Sequence, residues 1–312
     1  MAYKHIPAMQ NEVIHYLNCK PGKIYIDCTI GGAGHAEAIL KKIVPDGLLI
    51  GIDQDEDAIM NARKVLESYK ANIHLFRNNF IFLPEILSQL NIAAADGILL
   101  DLGLSQHQLE SSGRGFSFQR DEPLDMRMDV EATMKAEDII NKTEGKSLAN
   151  IFKQYGEERW AKRIAQKIVH IRKRKAIRTS RQLAQIVCDC VPKKASHKQK
   201  IHPATRVFMS LRIAVNNELE RLDSFLENAV DFLNPNGRLC VLSFHSLEDR
   251  IAKQRFKTLE KGCICPPDFP KCVCNKKQVV RSLSKKVQRP TAEEILKNPM
   301  ARSTRLRAVE KI

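Results

Sequence analysis

No run of about 18 apolar residues occurs in the 312-residue chain, so a membrane-spanning helix is not expected. The opening stretch, MAYKHIPAMQNEVIHYLNCK, lacks the apolar centre of a secretory signal. A cytoplasmic protein with no membrane partner is the expectation. The nine cysteines are an odd number, and in a reducing compartment no disulfide framework is expected from them. Internal repeats and long low-complexity tracts are absent. Acidic residues are nearly absent from one segment only. Between Arg159 and Arg212, 16 Lys and Arg face a single acid, Asp189. That segment carries +15, the net charge of the whole chain, and the remainder is neutral. Solvated helix faces usually mix both signs, so a one-sign block points to a polyanion such as nucleic acid.

The first third of the chain alternates apolar runs with amphipathic stretches. KIYID ends at Asp27, LLIGID at Asp53, NIHLF at Phe76 and GILLD at Asp101. Helical patterns such as DEDAIMNARKVLESY separate them. Strand and helix in alternation predict an α/β protein with a parallel, doubly wound sheet covered on both faces. From about Glu131 the pattern is helical only. Leu148, Ile151, Phe152 and Tyr155 keep i, i+3, i+4, i+7 spacing, and Thr179–Gln182 reads as a capping box before QLAQIVCDC. A long helical stretch is expected from Thr205 towards Phe232. The α/β signal returns with an NPNG turn, the strand RLCVLSF, and a last edge strand in TRLRAVE. The expected organisation is therefore residues 1–130 and 213–312 as two parts of one α/β domain. Residues 131–212 form an inserted basic helical domain, read as the part that meets nucleic acid.

The glycine loop of YIDCTIGGAGHAEAIL follows the first strand. A dinucleotide fingerprint needs a third glycine that is missing here, and a P-loop needs a Gly-Lys-Ser/Thr that is absent. Two acids sharpen the reading. Asp27 ends the first strand, and Asp53 ends the second, 19 residues after Gly34, where an acid accepts hydrogen bonds from ribose hydroxyls. A ligand with a ribose but no phosphate suits such a loop, and S-adenosylmethionine is one. Beyond the fourth strand lies DLGLSQHQLESSGRGFSFQRDEPLDMRMD. There Phe116 and Phe118 alternate with Arg114 and Arg120, a pattern suited to base stacking with phosphate contact, or to a tight loop with two core phenylalanines.

Together DCTIGGAGH, GIDQDEDAI, DGILLDLGLSQHQLESSGRGFSF, PLDMRMD, LSFHSLEDR and NPMARSTRLRAVE resemble the bacterial 16S ribosomal RNA cytosine-N4 methyltransferases, in order and spacing, over nearly the whole chain. The resemblance implies a class I S-adenosylmethionine-dependent methyltransferase, a Rossmann-like fold with an inserted helical domain. It implies methylation of N4 of cytidine 1402 in 16S rRNA, in the decoding centre of the small ribosomal subunit. Donor contacts map to Ala33, Gly34, His35, Asp53, Phe80, Asp101 and Gln108, beside the strand-end Asp27. Ala33 stands where many relatives carry glycine. Asp101 and Ser105 are the expected partners of the reacting amine, with Asp125 and His245 as further catalytic candidates. Arg114, Phe116, Phe118, Arg127, Arg172, Lys173 and Arg174 are the expected substrate contacts. Two rival functions are a nucleic-acid-binding protein with a vestigial pocket and a DNA cytosine-N4 methyltransferase. The Ser/Asp-Pro-Pro-Tyr motif of the latter is missing, since the position reads Asp101, Leu102, Gly103, Leu104. Finally, Cys263, Cys265, Cys272 and Cys274 stand in a proline-turned loop as C-x-C-x6-C-x-C. They are read as reduced cysteines facing substrate, because C-x-C pairs fit zinc less well than C-x2-C. A tetrahedral zinc site is the alternative.

Overall fold

A computed structural model describes residues 6–192, 201–263, 265–266, 269–271, 273–274 and 276–312. The chain divides into two compact units, one made of residues 1–104 and 219–312, the other of residues 105–218. The second unit thus takes in the loop beyond the fourth strand as well as the helical segment expected over 131–212. Among the described residues no helix is long and apolar enough to cross a membrane.

The first unit is built on seven strands: β1 (Ile24–Asp27), β2 (Leu48–Asp53), β3 (Ile73–Arg77), β4 (Ala95–Asp101), β5 (Leu233–Ser243), β6 (Val280–Ser282) and β7 (Arg305–Lys311). Their order in the sheet is β3-β2-β1-β4-β5-β7-β6. β1 to β5 pair in parallel, and β7 runs antiparallel to both β5 and β6. This is a doubly wound arrangement with one antiparallel strand, β7, inserted near the edge. Successive side chains of a strand leave opposite faces of the sheet. Tyr25, Leu49, Leu99 and Cys240 enter one apolar layer, and Ile26, Ile50, Ile98 and Leu239 enter the other. With both faces covered, the strands read as continuous apolar runs. Each such side chain contributes about 1.5–3 kcal/mol by leaving water.

Two expectations about this unit are corrected. TRLRAVE is not the edge strand, because the three-residue β6 pairs outside it. The NPNG segment does not precede β5. It lies inside it as an irregularity, with Ala95 opposite Leu233 and Gly97 opposite Arg238, and with Asn236 at φ 64°.

The first part of this unit holds four helices and a turn: α1 (Gln10–Leu17), α2 (Gly34–Ile43), α3 (Glu56–Val65) and α4 (Leu83–Gln89), with a 3-10 turn at Phe80–Phe82. The second unit holds α5 (Gln106–Glu110), α6 (Ala136–Lys142), α7 (Gly145–Gln154), α8 (Ala161–Arg172), α9 (Ser180–Cys190) and α10 (Thr205–Asn216). The capping box read in the sequence opens α9: the Thr179 hydroxyl accepts from Gln182 N–H, and the Gln182 amide oxygen accepts from Thr179 N–H. Leu148 and Phe152 of α7 are buried, as their spacing predicts. The stretch expected as one long helix from Thr205 is broken at Asn217, which adopts φ 50°. A second helix, α11 (Glu218–Asn228), starts afresh there and ends in a 3-10 turn at Ala229–Phe232.

Candidate functional site

In a doubly wound sheet ligands sit beyond the carboxyl ends of the strands, where the strand order reverses. Here it reverses at β1, which has β2 on one side and β4 on the other. The residues at that point are Asp27 and Asp101, with Asp53 one strand away.

Asp27 is 1% exposed. Its Oδ1 accepts from Thr29 N–H at 3.1 Å. Burial pushes its pKa up to about 6, against the opposing pull of His35 and of the Thr29 N–H. Asp27 Oδ2 and Asp101 Oδ1 are buried and meet no hydrogen-bond partner among the described residues. A buried polar atom left in this state costs about 1–3 kcal/mol. The Thr29 hydroxyl accepts from Asp101 N–H at 2.7 Å and ties the two strand ends together. His35 lies on α2 with its ring turned inward, Nε2 3.4 Å from Asp101 Oδ2. Burial opposes charge on this ring, but the carboxylates of Asp101 and Asp27 outweigh it and raise its pKa.

Asp53 shapes the glycine loop. Its Oδ2 accepts from Gly31 N–H at 2.8 Å and its Oδ1 from Asp55 N–H at 2.9 Å. Burial pushes its pKa up to about 7, although both N–H groups pull it down. Ala33 caps α2 at φ 64°, a left-handed conformation that costs a residue with a Cβ roughly 1 kcal/mol. Gly34 allows close packing, since a Cβ there would stand 2.9 Å from two Pro7 side-chain carbons. The first turn of α2 directs its N–H groups out of the helix end, with the positive end of the helix dipole.

Phe80 packs its ring edge-on to Phe225, with centroids 5.1 Å apart. Beside it, the amides of Asn79 and Gln54 bond at 3.0 Å, and Arg221 donates to the same Gln54 oxygen at 3.1 Å. Thr29, Gln54, Asn79 and Arg221 were not singled out in the sequence. The N-cap type of Asn79, ahead of the turn, was the one local signal. His245 caps α12 (Ser246–Glu260): its Nδ1 accepts from Glu248 N–H, and Glu248 Oε2 accepts from the N–H groups of Phe244 and His245.

In the second unit the predicted residues are held differently. Ser105 and Gln108 form a reciprocal cap on α5: Ser105 Oγ accepts from Gln108 N–H, and Gln108 Oε1 accepts from Ser105 N–H. Asp125 receives Arg127 Nε at 2.6 Å and Nη2 at 2.7 Å. Burial works upward on Asp125, but the Arg127 guanidinium wins and lowers its pKa. Arg127 Nη1 also donates to the carbonyls of Val130 and Ala132.

Arg114 is buried, donates to the carbonyls of Arg127 and Met128, and lies over the ring of buried Phe116. That ring therefore serves the interior of the unit. Phe118 is partly exposed and stacks on His202, with centroids 4.4 Å apart. Arg172 donates to the carbonyls of Ile140 and Thr143 at the end of α6. Lys173 and Arg174 are exposed. So are Lys162, Arg163 and Lys167 on the outer face of α8.

The cysteine loop follows α12. The sulfurs of Cys263, Cys265 and Cys274 lie within 4.8 Å of one another. Cys272 lies outside the described residues.

Residues 2–312 match the profile of the MraW methylase family. The chain is 52% identical over 312 residues to the "Ribosomal RNA small subunit methyltransferase H" of Desulfosudis oleivorans, covering all of both chains. It is 53% identical over 312 residues to the protein of that name in Desulforapulum autotrophicum, again covering all of both chains. To the one in Halothermothrix orenii it is 47% identical, over 99% of each chain. A seven-stranded doubly wound sheet, a carboxylate-lined switch point and a full-length match lead to one statement: this chain is a methyltransferase and belongs to the MraW methylase family.

Proposed function

We propose that this chain methylates N4 of cytidine 1402 in 16S rRNA, within the small ribosomal subunit, with S-adenosylmethionine as donor. The observation that carries the reading is the pair of orphaned oxygens, Asp27 Oδ2 and Asp101 Oδ1, at the strand switch point. Buried acceptors without donors fit a ligand that brings N–H groups and positive charge. The bound donor supplies a methyl group on a positively charged sulfur. Asp53 is suited to accept from ribose hydroxyls, having spent only one bond per oxygen on the backbone. The α2 N-terminus suits a carboxylate.

The exocyclic amine of cytosine is a poor nucleophile because its lone pair is delocalised into the ring. Acceptors for its two hydrogens, the Asp101 carboxylate and the Leu102 carbonyl, favour a tetrahedral nitrogen and aim the lone pair. Once methylated, the nitrogen is cationic and sheds a proton readily, so no strong base is needed. Ser105 and Asp125 keep their proposed roles at the amine, His245 a proposed supporting role, and Gln108 one at the donor. The exposed Lys173 and Arg174 are proposed phosphate contacts.

Methyl transfer from labelled S-adenosylmethionine to small subunits lacking cytosine-N4 methylation tests the reading, with naked RNA and duplex DNA in parallel and nucleoside digestion to place the label. Label on N4 of one ribosomal cytidine is the expected result. Label on another base, on DNA, or nowhere would overturn it.

A further inference from the structure

Among its described residues the loop between α12 and β6 has no core of its own. Among its described residues from 261 to 279 none is buried, and Phe269 and Val273 are exposed. Its base is closed by the backbone: Val279 N–H donates to Leu259 O at 3.1 Å, and Ile312 N–H to Val279 O at 3.1 Å. Among the described residues nothing apolar is buried beyond that base, yet three cysteines converge there from both arms. Cys263 and Cys265 come from the outgoing arm and Cys274 from the returning one.

The sulfur geometry does not fit a disulfide and fits a bound metal. The sulfurs of Cys263 and Cys274 stand 3.8 Å apart. A disulfide requires about 2.05 Å. A tetrahedral zinc ion with zinc–sulfur bonds of about 2.3 Å sets sulfur–sulfur edges of about 3.8 Å. Cys265 Sγ belongs to the same cluster, all three sulfurs lying within 4.8 Å. Two sulfurs also receive backbone donors. Cys265 N–H points to Cys263 Sγ at 3.4 Å, and Val273 N–H to Cys265 Sγ at 3.3 Å. Hydrogen bonds to sulfur favour the thiolate, the form that binds metal. The C-x-C spacing that argues against zinc in the sequence matters less here, because the third ligand comes from the opposite arm.

We propose that Cys263, Cys265 and Cys274 supply three ligands of a structural zinc site that staples this loop. Each thiol that binds passes its proton to solvent, so metal uptake releases protons and affinity falls as pH falls. The ion takes the place of the missing core, as in other small elements that cannot bury enough apolar surface. The site stands independently of the RNA substrate.

The test uses the full-length protein, purified anaerobically with reductant and without added metal. Elemental analysis is expected to find about one zinc per chain. Replacing that zinc with Co2+ is expected to give thiolate-to-cobalt charge-transfer absorption. Cys263→Ser and Cys274→Ser are expected to lower zinc below a tenth of an equivalent, while Cys188→Ser in the second unit keeps it. Chelation is expected to make the loop several-fold more sensitive to trypsin at Lys261, Lys271 and Lys277, with donor affinity as the check that the chain stays folded. Less than a tenth of an equivalent in the unsubstituted protein, with no cobalt absorption, would overturn the site. So would full zinc retention in both serine variants.

Discussion

The strand-end carboxylates of the α/β unit and the arginine-paired carboxylates of the helical unit are held in opposite ways. In the α/β unit Asp27 and Asp53 are held at strand ends with no cationic side chain bonded to them among the described residues, and burial raises both. In the helical unit Asp125 is gripped by Arg127 through two nitrogens, and Glu218 is gripped likewise by Arg212. A fold that leaves buried acceptors unmatched carries a standing cost, and such sites persist where a ligand completes them. A carboxylate saturated by a guanidinium serves the fold that holds it. The same reasoning sorts the arginines. Arg114, Arg127 and Arg172 are spent on backbone carbonyls, whereas Lys173 and Arg174 remain at the surface.

Substitution is the strongest way to break this contrast. Arg127→Ala leaves a partly buried carboxylate without its partner and is expected to cost roughly 3 kcal/mol of stability in denaturant melts. Donor affinity measured by calorimetry should stay within a factor of two. Asp53→Ala should do the reverse, weakening donor binding about 10- to 100-fold through the loss of roughly 1.5–3 kcal/mol of charge-assisted hydrogen bonds.

Acidity separates the strand-end acids from the paired ones too. Asp27 and Asp53 bind their protons more tightly in the fold than in the unfolded chain, where both titrate near 3.8. Their contribution to stability is therefore greatest below about pH 4 and declines as pH rises, through about 6 for Asp27 and about 7 for Asp53. Ionised Asp53 is the better acceptor, so donor affinity should climb through about pH 7 and flatten in Asp53→Asn. Asp125 contributes in the opposite sense: its stabilisation is present above the ordinary carboxylate range and lost on acidification through its lowered pKa.

The smallest effects lie at the surface. Lys173→Ala and Arg174→Ala should each reduce the salt dependence of RNA binding by about one phosphate contact, with melting unchanged. Arg172→Ala should lower the melting temperature instead, because it strips two helix-end carbonyls of their donor.

What the sequence revealed follows the same division. The parallel strands were legible because burial on both faces makes each an unbroken apolar run, and Asp27, Asp53 and Asp101 stood out as acids ending those runs. β6 was not legible, since three residues in a Cys- and Pro-rich stretch become a strand only by pairing with β7. The break at Asn217 was hidden inside a continuous helical pattern. Thr29 and Arg221 went unnoticed because their partners are 72 and 167 residues away. Composition located the basic block, but which of its arginines face inward depends on helix ends that only the fold brings near, as Arg172 shows.

The central claim, that the strand-end acids serve a ligand and the paired acids serve the fold, is tested most directly by titrating S-adenosylmethionine into the unsubstituted protein, Asp53→Ala and Arg127→Ala, with a melt of each. The account predicts lost affinity with retained stability in Asp53→Ala, and retained affinity with lost stability in Arg127→Ala. Equal affinity in Asp53→Ala and the unsubstituted protein would contradict it.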